Sequence, residues 1–169
     1  VPRNDKPLAP VTAARVCRLR DHLLDLLGNI AGFKGTASPR PPEPSGVAAR
    51  VATTACALCG GWCCEKGGDD AFLDDQTLAR VSRDRPDLDE RALVRIYLDR
   101  VPASAYQDSC LFHGERGCAL ERSLRSDLCN TYFCRGLGAY LKSAAPAVPT
   151  AIIAGEGDKA RIGKCLDVS

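Results

Sequence analysis

At 169 residues the chain is long enough to bury a core without help from disulfides. Its charged side chains nearly cancel to a formal net charge of +2, which excludes the polybasic signature of nucleic-acid or anionic-membrane binding. The apolar stretches Val11 to Ile30 and Ala144 to Ala154 are too charged or too short to span a bilayer.

The opening residues, Val1 to Lys6, lack the basic-then-apolar order of a secretory signal, and with no Met in the chain Val1 need not be a native start. From Val16 onward Leu19, Leu23, Leu26, Leu27 and Ile30 recur at three- and four-residue steps, with Arg18, Arg20, Asp21 and Asp25 interleaved. This predicts an amphipathic helix ending near Gly28, an appendage over residues 1–31. Pro39, Pro41, Pro42 and Pro44 make 32–46 a linker or extended loop, leaving 47–169 as the main domain.

That domain opens with an Ala-rich approach and a cysteine block, Cys56-Ala-Leu-Cys59-Gly-Gly-Trp-Cys63-Cys64, whose glycines predict a loop. Asp75 is placed to cap a short helix running through Arg83. Past Pro86, Asp87-Leu-Asp-Glu90 has capping-box spacing for a second helix that presents Leu93, Val94, Tyr97, Leu98 and Val101 and stops at Pro102. The second cysteine block runs from Cys110 through a Gly-containing turn to Cys118. Leu120, Leu124 and Leu128, four apart, then predict a helical stretch, and Leu137, Tyr140 and Leu141 continue an apolar face toward Pro146. Ile152 and Ile153, then Gly155 to Asp158, then Ile162, suggest a C-terminal hairpin. The expected fold class is mainly α, a small helical domain around a cysteine-rich site with a β-hairpin at its end.

Ten cysteines dominate the composition. Four fall between Cys56 and Cys64 and four between Cys110 and Cys134, with Gly among them. That bunching suits thiolate ligands better than a disulfide framework, which would spread its cysteines through the chain. A Cys-x-x-Cys step lets two sulfurs grip one metal, and the side chains of the adjacent pair Cys63 and Cys64 diverge toward different ligand positions or different metals. The candidate ligands are therefore Cys56, Cys59, Cys63, Cys64, Cys110, Cys118, Cys129 and Cys134. Eight thiolates exceed one tetrahedral ion, so one four-iron cluster with spare thiols, two zinc sites, or a polynuclear cluster are the open alternatives.

In these eight positions the chain resembles the zinc- or iron-chelating cysteine-cluster proteins, the YkgJ-like or CxxCxxCC family, over roughly residues 54–136. It departs in having three residues between Cys59 and Cys63 where two are usual, and Arg125-Ser126 where the family has Arg-Pro. The resemblance implies metal or cluster binding. The expected cofactor is an iron–sulfur cluster, 4Fe-4S in the first instance, with zinc as the alternative. An iron–sulfur cluster would serve a redox or small-molecule-activating role, whereas zinc would stabilise a protein-interaction module.

Cys17 and Cys165, each alone among ordinary residues, read as buried small hydrophobes. His113 reads as a ligand, a proton carrier, or a surface or hydrogen-bonding loop residue, and His22 as bland. Arg135, next to Cys134, is either a counter-charge for thiolates or a solvated side chain. Trp62, Leu58, Leu111 and Phe112 are candidates to exclude water, and Tyr132 to shield the site. The carboxylates explain themselves as caps or solvated faces, and neither a phosphate loop, a nucleophile elbow nor a His-Glu-x-x-His motif occurs, so no catalytic residue is assigned. A protein or small-molecule partner, neither nucleic acid nor membrane, and a cytoplasmic location complete the expectations.

Overall fold

A computed structural model describes residues 1–30, 44–143, 149, 151–155 and 157–164. Residues 32–43 of the expected linker, the stop at Pro146 and Cys165 lie outside them. In chain order the described elements are β1 (Leu8–Pro10), α1 (Ala13–Ile30), α2 (Gly46–Cys59), a 3-10 turn (Trp62–Lys66), α3 (Asp75–Asp84), α4 (Glu90–Leu98), β2 (Ser104–Tyr106), β3 (His113–Gly114), β4 (Gly117–Cys118), α5 (Asp127–Thr131), α6 (Arg135–Leu141), β5 (Ala151–Ala154), a second 3-10 turn (Gly157–Lys159) and β6 (Arg161–Lys164). The fold is mainly α, and the expected C-terminal hairpin is present, β5 and β6 pairing antiparallel with Ile153 opposite Ile162. No helix among the described residues is long and apolar enough to cross a membrane.

The chain divides into two compact units that interleave in sequence. One takes Val1–Asp5, Pro42–Cys63 and Tyr132–Ser169, and the other takes Lys6–Pro41 and Cys64–Thr131. The expected division into 1–31, 32–46 and 47–169 follows chain order, whereas the units assemble segments from several places.

In the unit that begins at Lys6, Leu19, Leu23, Leu26 and Leu27 form the buried stripe of α1 and pack with Leu78 and Val81 of α3 and Leu93, Val94 and Tyr97 of α4. The two shorter helices start where carboxylates satisfy orphan amides: Asp74, one residue before the expected cap Asp75, accepts from the Thr77 N–H at 2.8 Å, and Asp89 accepts from the Ala92 N–H at 2.7 Å. Cys17 is exposed rather than buried, because two residues before Leu19 on a helix is about 200° around, the face opposite the leucine stripe. The expected helix from Leu120 is a second correction. Leu120 and Leu124 are buried, but regular α structure is confined to α5 and Leu128 is exposed. The physical reason is Arg80, 1 % exposed, whose guanidinium takes the carbonyls of Ser123 and Arg125 at 2.7 Å each, so those oxygens are engaged by a side chain rather than by a helical ladder.

In the other unit α2 packs Val51, Ala52 and Ala55 against Leu137 of α6 and Ile152 of β5. Its course corrects the expectation that the first cysteine block is a loop. An Ala-rich sequence propagates the helix through Cys56 to Cys59, and Gly60, at φ 64, ends it with its N–H turned back to the Cys56 carbonyl at 3.1 Å.

Candidate metal centre

The peptide between Cys63 and Cys64 is where the two units meet in sequence, and it divides the eight candidate ligands evenly. Cys56, Cys59, Cys63 and Cys134 fall in the unit built on α2, and Cys64, Cys110, Cys118 and Cys129 in the unit built on α1. Neither sequence block stays whole. None of the nine described cysteines is joined in a disulfide.

Around Cys59 the geometry comes from a helix end. Cys56 and Cys59 are three residues apart on the last turn of α2 and so share a face. The chain then reverses at Gly60 and Gly61, both at positive φ, which points the N–H groups of Trp62 and Gly61 at the Cys59 sulfur. Burial pushes the Cys59 thiol up, those two amides pull it down, and the neighbouring Cys63 and Cys134 sulfurs push it up again. Cys134 is the N-cap residue of α6 and packs on the apolar cluster of α2 and β5. Cys56 and Cys63 are exposed, and Trp62, 37 % exposed, covers the turn only in part.

Around Cys110 the geometry comes from tertiary packing instead. The Cys110 N–H donates to the Cys64 carbonyl at 2.9 Å, and the Gly67 N–H donates to the same oxygen at 3.0 Å. A Cβ on Gly67 would stand 2.7 Å from the Cys110 Cβ and 3.2 Å from its Sγ, so this approach requires glycine. Cys118 lies in β4 opposite His113 of β3, and Cys129 lies in α5, whose start is fixed by Ser126 accepting the Cys129 N–H at 3.0 Å. Burial pushes the Cys110 thiol up to about 12. The Phe112 N–H opposes that, the Cys118 and Cys129 sulfurs reinforce it, and the Arg15 guanidinium opposes it again. Leu111 and Phe112 are fully buried beside Cys110.

Three residues that shape this second group were not singled out from sequence. Arg15 donates to the Ser109 carbonyl at 2.6 Å, one residue from Cys110, and is anchored by Asp69, which also holds Arg18. Burial alone would raise the Asp69 carboxyl, but the two guanidiniums outweigh it and hold it below the usual carboxylate range. Arg80 pairs with Asp127 at 2.9 Å at the head of α5, and Ser126, 1 % exposed, caps the same helix. Arg80 could have been flagged, because it lies on the stripe of Thr77, Leu78 and Val81, where a charge needs a buried partner. Arg15 had no such signal.

His113 is buried rather than a surface loop residue, with Nδ1 2.8 Å from the Ser109 hydroxyl and its ring centroid 4.5 Å from that of Tyr106. His22 meets the Leu73 carbonyl at 2.9 Å. Arg135 is exposed, as is Tyr132.

Among the described residues no three or more His, Cys, Asp or Glu side chains stand together so that they could hold a metal ion. What the residues offer is thiol chemistry without a formed site. Each group has one buried sulfur served by backbone N–H donors and flanked by further thiols, and such thiols cannot ionise together unless a cation offsets their charge. Compared with protein-family models, curated proteins and solved structures, the chain matches none of them.

Proposed function

We propose that this chain is a metal–thiolate protein, in which Cys56, Cys59, Cys63, Cys64, Cys110, Cys118, Cys129 and Cys134 supply the ligands and the metal fixes a helical surface for a partner. The observation that carries the reading is the aim of backbone N–H groups at buried sulfurs: Trp62 and Gly61 at Cys59, Phe112 at Cys110. Amides placed this way offset part of the rise that burial imposes on each thiol, and they are the donors that would tune a bound metal. The resemblance of the cysteine spacing to the YkgJ-like family supports the same reading, and a cytoplasmic location, where thiols stay available as ligands, belongs to the proposal.

Between the two metals expected from sequence, exposure favours zinc. Cys56, Cys63 and Cys129 are open to solvent, which a redox-inert ion tolerates and an oxygen-sensitive cluster does not. An iron–sulfur cluster is the second reading, carried by the same N–H donors, which serve cluster sulfur equally well. When bound, zinc supplies charge compensation for the thiolates. The chain's own residues orient the sulfurs, donate hydrogen bonds to them and, at Leu111 and Phe112, keep water from Cys110.

The test is elemental analysis of untagged protein isolated without oxygen. A colourless protein with stoichiometric zinc is expected. A brown protein whose absorbance bleaches on reduction would turn the assignment to iron–sulfur, and a metal-free protein with no titratable thiols would overturn the metal reading itself.

A further inference from the structure

The two faces of the C-terminal hairpin differ. On one, Ile152 and Ala154 of β5 are buried, and Gly163 of β6 lies against Leu58 of α2. On the other, Ile153 and Ile162 stand opposite one another and remain 54 % and 70 % exposed.

The two edges differ as well. Along the outer edge of β5 the Val1 nitrogen donates to the Ile153 carbonyl at 2.8 Å and the Gly155 N–H donates to the Val1 carbonyl at 3.0 Å, which closes that edge. Successive residues of a strand direct their N–H and C=O to alternate edges, so with Ile153 turned toward Val1 it is Ile152 and Ala154 that face β6. Ile153 and Ile162 are then a non-hydrogen-bonded pair, and the N–H and C=O of Ile162 point away from β5, to an outer edge that no described residue pairs with. A main-chain donor, a main-chain acceptor and an exposed apolar side chain thus meet at one residue, on an edge able to take another strand.

We propose that a second copy of this chain supplies that strand: β6 pairs antiparallel with its counterpart about a two-fold axis at Ile162, joining two hairpins into one four-stranded sheet. Charge and register select this occupant. Centred on Ile162, the pairing sets Ile162 opposite itself and the exposed Arg161 opposite Gly163 of the second copy, so no like charges meet there and four isoleucines form one row across the sheet. Centred one residue earlier it would set Arg161 against Arg161, which is unfavourable. The contact is isologous and closes at two chains. It is also small, since a strand of four residues with one apolar row buries less than the roughly 800 Å² per partner of a standard interface. The dimer is therefore weak and concentration-dependent.

Sedimentation of the full chain over a dilution series, with reductant and EDTA present to remove disulfide- or metal-linked association, should show a reversible monomer–dimer equilibrium. Ile162→Lys should return the protein to monomer at every concentration, because it sets two like charges face to face on the axis, and Ile162→Glu should do the same. Mixed in equal amounts, the two variants should dimerise again, since opposite charges rescue each other only at a position that faces itself. Leu24→Lys, which alters an exposed leucine of α1, should leave the equilibrium unchanged.

A wild-type chain that stays monomeric overturns the proposal. So does a dimer that survives Ile162→Lys, or a mixture of the two variants that stays monomeric while both keep the wild-type circular dichroism. Where a variant does not fold, amide exchange of the wild-type protein decides: the Ile162 N–H should exchange freely in dilute protein and become protected as concentration rises. Protection that is the same at every concentration would assign the edge to another segment of the same chain and would overturn the proposal too.

Discussion

Cys59 and Cys110 are equally buried, each 7 % exposed, yet they are held by different kinds of structure. Cys59 sits at the end of a helix, and its amide donors come from the next three residues, so its environment is mostly local. Cys110 sits in irregular chain inside the larger apolar cluster, close against Gly67 and within the field of Arg15, residues far from it in sequence. The same device, an amide N–H aimed at a sulfur, is thus supported by a helix terminus in one unit and by long-range packing in the other. The difference teaches where each group is vulnerable. The Cys110 group should be damaged by substitutions distant in sequence, the Cys59 group by changes to its own turn.

The severest challenge to that comparison is Arg80→Met. It leaves the Ser123 and Arg125 carbonyls and the Asp127 carboxylate without their buried partner, and a loss of about 3–5 kcal/mol is expected in denaturant unfolding. Metal held by the Cys110 group should fall with it, whereas a loss below about 1 kcal/mol would show that Arg80 is not the clamp it resembles. Next comes Gly67→Ala, whose new Cβ would collide with the Cys110 Cβ in a place where backbone must move, for about 1–3 kcal/mol. Its counterpart in the other unit is milder. A Cβ at Gly163 meets the Leu58 side chain, whose terminal methyl groups can swing aside, so Gly163→Ala should cost under about 1 kcal/mol. Equal costs for the two glycine variants would erase the contrast.

Asp69→Asn falls between the two glycine variants and adds a pH signature. Because the folded carboxyl is held below its ordinary value, its contribution is fully present above about pH 4 and is lost as pH falls through the lowered value. At neutral pH the variant should be about 1 kcal/mol less stable, with Arg15 loosened beside Ser109, and the gap from wild type should close in acid. A gap independent of pH would mean that Asp69 acts through something other than its charge.

Much of this was legible in the amino-acid order because it is local. The stripe of α1 follows from leucines at helical spacing and the hairpin from β-branched residues around a Gly-containing turn, while the acidic runs located the starts of α3 and α4 to within two residues, the caps being Asp74 and Asp89. The candidate ligands were legible too, since thiols separated by two or three residues advertise themselves whatever the fold. The Ala-rich run before Cys56 was misread as an approach to a loop because the glycines that follow it look like a loop's and are a helix's C-cap.

Which cysteines are neighbours could not be read that way. Proximity between Cys134 and Cys59, or between Cys64 and Cys110, is decided by how α6 packs on α2 and how a backbone amide finds a carbonyl across forty-odd residues, and neither leaves a periodic trace in the sequence. For the same reason Arg15 emerged only from the tertiary structure, and so did the partners of Arg80: a buried guanidinium is recognised by the carbonyls and carboxylates it meets, and the fold alone brings those within reach. Composition and spacing determined that this is a helical, thiol-rich chain. Long-range packing decided how its thiols are grouped.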